Sequence, residues 1–216
     1  MLTDFFRGWT KTTLLKEATE EVDKMLDTTK DMYIFSMRVL MDNEKEVADI
    51  YQLDQQLNEM QINVRKKVVE HLSINPRQDI TSSLILVTII VDIERIGDYA
   101  KNLIELAHHY PELLRGPYID RIRKIEETIT SNFADTIIAF KEANIETAQK
   151  VMEVHARLAP EIEKIIEDIL NDNTLNGREA VIYALLARFL KRVSAHLKNV
   201  ASSVVNPFHR LGYRPE

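Results

Sequence analysis

The sequence has no cysteine, only five glycines and six prolines, and no long apolar run. The lack of cysteine excludes disulfides, thiolate metal sites and thiol nucleophiles, and it fits a reducing cytoplasm. The longest apolar run, Leu84 to Val91, stops at Asp92 and is far shorter than the roughly 20 residues of a membrane span. The opening from Met1 to Trp9 is too short and too polar for a secretory signal. We therefore expect a soluble, cytoplasmic protein.

Charge and motif content exclude several classes of function. A net charge of −6 and a pI of about 5.6 argue against nucleic-acid binding, which relies on a basic face. The chain has no Ser/His/Asp set, Gly-rich phosphate loop or Walker motif. Glu105 and His108 have the Glu-x-x-His spacing of di-iron bundles, but both lie off the apolar stripe of their helix, so we reject a ferritin-like oxidase. We therefore expect no enzymatic turnover.

Hydrophobic periodicity indicates an all-α protein. Helical spacing predicts six long helices and no strands; the helices are expected over residues 11–41, 43–73, 77–109, 117–142, 144–173 and 177–205. Asn43 with Glu46 is typical of a capping box, and Asn144 takes the same place before the fifth helix. Pro117 suits the first turn of the fourth helix, and Pro160 should kink or split the fifth.

The chain is a tandem repeat. Residues 93–105, IERIGDYAKNLIE, recur in diverged form at 190–202, LKRVSAHLKNVAS. The repeat predicts two three-helix bundles joined by a short linker, the first over residues 1–110 and the second over 111–205, followed by a C-terminal tail over 206–216.

Apolar stripes identify the buried faces of the third and sixth helices. They recur at steps of three and four residues, at Leu86, Ile89, Ile93, Ile96, Ala100, Leu103 and Ala107, and again at Tyr183, Leu186, Leu190, Val193, Leu197, Val200 and Val204. These stripes direct Glu94 and Asp98 to the outer side of the third helix, four residues apart and on one strip. The apolar stripe of the second helix leaves Asp54 and Asn58 as a similar pair.

Two acids at this spacing repel each other unless a cation lies between them. Lys101 or Arg95 would supply that cation within the protein. The four oxygen-bearing side chains Asp54, Asn58, Glu94 and Asp98 would also suit iron, manganese, magnesium or zinc.

These residues resemble a known family. The stretch IERIGDYAKN at 93–102 is similar to the signature of the PhoU family of phosphate-uptake regulators, and Pro76 to Asp79 resembles the segment that precedes it. The resemblance covers essentially the whole chain. It implies two three-helix bundles, a cytoplasmic role in phosphate homeostasis, and metal clusters, with iron or zinc as the expected metals, held by paired acidic motifs.

Transferring the metal motif residue by residue gives an uneven result. Glu94 and Asp98 match the motif of the third helix, and Asp54 matches the first acid of the second, whereas Asn58 replaces the second acid. The corresponding places in the second half hold His155, Ala159, Lys191 and Ala195. We therefore expect a metal on the first bundle only.

Two functions follow as hypotheses. The first is a negative regulator of phosphate transport that contacts a phosphate transporter or its sensor kinase, and reaches the membrane only through that partner. The alternative is a metal-dependent enzyme or metal-storage protein on the same scaffold. The sequence leaves homodimerisation open. It also leaves open whether Phe5, Phe6 and Trp9 anchor the chain or cap the first bundle, and whether the tail from Asn206 packs or docks.

Overall fold

The structure is a computed structural model that describes residues 13–213, and these residues form six long helices and no strand. The helices are α1 (Thr13–Asp42), α2 (Ile50–Ile74), α3 (Ile80–His109), α4 (Pro117–Glu142), α5 (Ile145–Asn171) and α6 (Gly177–Val205). Helices α1 to α3 pack on one another, and α4 to α6 form a second three-helix bundle. The expected all-α class is confirmed.

The start of α2 differs from the sequence-based expectation. Asn43 adopts a left-handed backbone (φ 54°) directly after α1, so it follows the end of a helix and does not begin one. The N-cap of α2 is Asp49, whose carboxylate accepts hydrogen bonds from the backbone N–H groups of Tyr51 and Gln52 at 2.9 and 3.2 Å. Glu46 pairs with His108 at 2.6 Å. The predicted capping box is therefore wrong. Asparagine is favoured at both ends of helices, so its position alone did not distinguish the end of α1 from the start of α2.

Two other predicted helix starts agree with the structure. Asn144 caps α5 by accepting a hydrogen bond from Thr147 N–H at 3.0 Å, and Pro117 lies in the first turn of α4. The expected split at Pro160 is wrong, since α5 runs without interruption from Ile145 to Asn171. No membrane-crossing helix is found over residues 13–213, where none combines the needed length with enough apolar character.

The core follows the predicted stripes. All fourteen stripe residues of α3 and α6 are buried. The two bundles are not separate bodies on a linker, because one continuous hydrophobic cluster contains residues of both halves. Burial of this cluster is the main stabilising contribution to the fold.

The halves meet mainly along α3 and α6, which run antiparallel. Asp92 contacts His196 near one end of this contact, and Tyr99 contacts Phe189 near the other. Asp92 and Phe189 are repeat equivalents, as are Tyr99 and His196, so the two contacts are related as a two-fold axis requires. Tyr99 and His196 also touch each other, with ring centroids 5.9 Å apart, which places that pair on the axis.

The tail packs on the fold as far as the structure describes it. A short 3₁₀ helix, Phe208–Arg210, contacts α3, and Phe208 and Leu211 pack against the core. Asn206 holds the turn by donating hydrogen bonds to the carbonyls of Arg210 and Tyr213. Of the two alternatives for the tail, residues 206–213 are a packed extension. Phe5, Phe6 and Trp9 lie outside the described residues.

Candidate cation site and its counterpart in the second half

A close approach of α2 and α3 brings the predicted ligands together. Gly97 faces Leu57, and a Cβ added at Gly97 would overlap the Leu57 side chain. Since glycine has no side chain, the two helices come near enough for the acids of both to share one groove. Asp54 from α2 lies beside Glu94 and Asp98 from α3.

Lys101 occupies the centre of this cluster. Its ammonium donates to Asp54 Oδ2 at 3.0 Å and to Asp98 Oδ1 at 3.1 Å. Arg95 donates to Asp98 Oδ2 at 3.0 Å, and Asn58 donates to Asp54 Oδ2 at 3.4 Å. Both cations that the sequence offered as partners of the acid pair are therefore in contact with it.

The acids are more enclosed than the sequence indicates. The side chains of Asp54, Glu94 and Asp98 are 14%, 17% and 24% exposed, so they line a groove and not an open helix face. Burial and the neighbouring Asp98 charge raise the pKa of Glu94 above its ordinary value. Burial opposes the charge of Lys101, but its hydrogen bonds to Asp54 and Asp98 prevail and raise its pKa.

Two features of the groove favour a cation beside Asp54 and Glu94, in addition to the guanidinium of Arg95. Asp54 Oδ1 is buried without a hydrogen-bond partner, and burial together with the Asp98 charge raises the pKa of Glu94. Carboxylate and amide oxygens are also the donors that hard cations prefer. However, residues 13–213 contain no group of three His, Cys, Asp or Glu side chains arranged to hold a metal. The Lys101 ammonium supplies the positive charge between Asp54 and Asp98, and a metal ion at this place would have to replace it.

The equivalent groove in the second half has different chemistry. His155 contacts Ser194 through Nδ1 at 3.0 Å, and Ser194 occupies the repeat position of Gly97. Lys191, the counterpart of Glu94, pairs with Glu163. Lys198, the counterpart of Lys101, donates to the backbone carbonyl of Gly212 in the tail at 2.5 Å.

Sequence reasoning missed the polar hub between the halves. Asp92 Oδ1 accepts from Asn199 at 2.7 Å and lies 2.7 Å from His196 Nδ1. Asp92 and His196 are only 17% and 19% exposed. The signal available in the sequence was the acid that ends the apolar run Leu84 to Val91; its partner lies about one hundred residues away.

The fold and the groove together define an all-helical protein of two homologous three-helix units, with an acidic motif retained in one unit. The sequence profile of the PhoU domain matches residues 22–107 and again residues 122–204. The chain therefore belongs to the PhoU family, and the resemblance seen at residues 93–102 is confirmed.

Relatives agree with this assignment at low identity. The chain is similar to the phosphate-specific transport system accessory protein PhoU homolog of Synechocystis, with 20% identity over 195 residues, covering 88% of this chain and 87% of that protein. A PhoU homolog 1 of Thermotoga maritima, carrying the same description, is 21% identical over 199 residues, covering 89% and 85%.

Solved structures show the same fold. The crystal structure of PhoU from Pseudomonas aeruginosa superposes with a TM-score of 0.78 at 20% identity, covering 89% of this chain and 95% of that one. PhoU from Streptococcus pneumoniae, described as a phosphate transport system regulatory protein, gives 0.78 at 16% identity, covering 88% and 93%.

Proposed function

We propose that this chain is a cytoplasmic negative regulator of phosphate transport that acts by contact with a phosphate transporter or its sensor kinase and catalyses no reaction. The observation that carries the proposal is the double PhoU-domain match, which extends over both halves of the chain. Relatives aligned over most of their length are accessory proteins of phosphate-specific transport systems. The partner would provide any association with the membrane.

The groove between α2 and α3 is consistent with a binding role. Its carboxylates are held by Lys101 and Arg95 in a network of hydrogen bonds. A general acid or base must lie within hydrogen-bond distance of a substrate proton, whereas the carboxylates of this groove contact Lys101 and Arg95. The groove is therefore better suited to holding a cation or a partner's basic group than to proton transfer.

Deletion of the gene tests the proposed regulation. Cells lacking the protein should accumulate more phosphate than wild-type cells when phosphate is ample, and affinity purification from membranes should recover transport components. A plasmid copy should restore normal uptake. Unchanged phosphate accumulation, together with a hydrolytic or oxidative activity of the purified protein that Asp98→Ala abolishes, would support the metal-dependent enzyme instead.

A metal on the first bundle is a second part of the proposal. Asp54, Glu94 and Asp98 would be its main ligands and Asn58 a weak fourth, with iron or zinc as the expected ions. Bound there, the ion would supply positive charge beside Glu94, whose pKa is raised by burial and by the Asp98 charge. Lys101 would have to leave its position between Asp54 and Asp98.

Elemental analysis of the purified protein, with anomalous scattering from crystals, tests the metal assignment. We expect metal in the α2–α3 groove of the wild-type protein and its loss in a Glu94→Ala, Asp98→Ala double variant. Lys191→Ala serves as a control in the equivalent place of the second half. Full occupancy in the double variant would refute these ligands.

A further inference from the structure

The outer strip of α6 reverses the charge of the matching strip of α3. On α3 the strip carries Val91, Glu94, Asp98 and Lys101, spaced by three, four and three residues. At the same spacing α6 carries Arg188, Lys191, Ala195 and Lys198. One cation and two acids in the first half are thus replaced by three cations in the second.

Small residues leave a cleft beside this basic strip. Ala156, Ala159 and Pro160 of α5 line this cleft. On α6 the repeat position of Asp98 is held by the small residue Ala195. The resulting cleft has a volume of about 420 Å³. It is lined by groups from α5, α6 and the tail, including His155, Glu163, Lys191, Lys198, Gly212 and Tyr213. The tail closes one side of it.

The two lysines of this cleft are compensated unequally. Lys198 is partly buried, and its hydrogen bond goes to the neutral carbonyl of Gly212. Burial lowers the pKa of Lys198 despite the attraction of Asp92, which shows that the surroundings disfavour an uncompensated ammonium. Lys191 is 19% exposed and pairs with Glu163, whose side chain is 62% exposed, so solvent screens this ion pair on one side.

We propose that the basic cleft formed by Lys191, Lys198 and His155 binds a small phosphate-type oxyanion. The anion would accept hydrogen bonds from both ammonium groups and displace the Glu163 carboxylate from Lys191. Charge-assisted bonds to two partly buried ammoniums are the chemistry by which proteins hold phosphate. The site is separate from the acidic groove of the first half and does not depend on the contact with a transporter.

Titration calorimetry with inorganic phosphate, on the full-length protein at constant ionic strength, tests the site. Lys191→Ala should weaken binding about tenfold, since it removes one charge-assisted contact. Glu163→Gln should tighten binding, because it removes the carboxylate that competes for Lys191. Lys164→Ala is the matched control, since Lys164 is an exposed lysine of α5 that pairs with Glu167 and Asp168 and should leave binding unchanged.

The opposite signs of the two variants separate binding from a structural role of the Lys191–Glu163 pair. If the pair only stabilises the helices, Lys191→Ala and Glu163→Gln would lower thermal stability alike. Phosphate affinity would then not fall in one variant and rise in the other. A second titration with glycerol phosphate distinguishes a free phosphate ion from a phosphate ester as the occupant. Absence of heat with both ligands, or equal affinity in the wild type and Lys191→Ala, would overturn the proposal.

Discussion

Asp23→Asn should stabilise the protein at neutral and alkaline pH but not in acid. Asp23 lies on α1, and its Oδ1 is buried without a hydrogen-bond partner. Burial raises its pKa from 3.8 to about 6, against the attraction of Lys141 and with help from the neighbouring charges of Asp27 and Glu20. The folded protein therefore holds this proton more tightly than the unfolded chain does.

The direction of the pH dependence follows from linkage. Between pH 3.8 and about 6 the folded state binds more protons at Asp23 than the unfolded state, so stability falls as pH rises through this window. A rise of about two in the pKa corresponds to at most about 3 kcal/mol. Because the carboxyl is still partly in contact with water, we expect about 1 to 2 kcal/mol after screening.

Urea denaturation at pH 4, 6 and 8 measures this effect. The free energy of unfolding of Asp23→Asn should exceed that of the wild type by about 1 to 2 kcal/mol at pH 8, and the two should nearly coincide at pH 4. Asp31→Asn is the control, because Asp31 is an exposed residue of the same helix and is not among the charges that act on Asp23. An identical difference between Asp23→Asn and wild type at every pH would refute the reasoning.

Three further outcomes are expected from stability measurements on metal-free protein. Ile93→Ala and Leu190→Ala, which truncate fully buried residues, should each lower the free energy of unfolding by about 2 to 5 kcal/mol in denaturant titrations. Glu94→Ala should change it by less than about 1 kcal/mol, since the lost contacts are offset by relief of repulsion from Asp98; equal damage from Ile93→Ala and Glu94→Ala would contradict the assigned faces. Asp92→Ala and His196→Ala should be non-additive by about 1 kcal/mol in a double-mutant cycle, as their side chains meet at 2.7 Å; strict additivity would show that the contact contributes nothing.

Periodicity was sufficient to predict the helices and their buried faces. The stripes of α3 and α6 lie in the core because a pattern of threes and fours permits only one buried face on a helix. The end of α1 and the start of α2 were harder, since Asn43 is favoured both before and after a helix and only the left-handed backbone distinguishes the two. Pro160 predicted either a kink or a split of its helix, and the continuity of α5 excludes the split.

The candidate site was predicted in its residues but not in its environment. The spacing of Glu94 and Asp98 placed them on one strip, and in the structure Asp54 of α2 lies beside them. Their enclosure depends on how closely α2 approaches α3, which Gly97 permits. The periodicity of one helix carries no information about its distance to the next helix, so the groove could not be predicted from the sequence pattern. Metal binding there stays a prediction.

The pair on the two-fold axis, Tyr99 and His196, shows that the two halves of the molecule can differ in sequence even where they meet. In an assembly of two identical chains, a residue on the symmetry axis must meet its own copy. Here a tyrosine meets a histidine. The halves also meet where α1 contacts α4, and there Tyr33 lies against Phe133 with ring centroids 6.1 Å apart. When both halves belong to one polypeptide, equivalent positions need not hold the same residue, so a substitution can change one half alone. One face has thereby become acidic and its twin basic, giving the molecule a polarity that identical chains related by the same axis would be unable to possess.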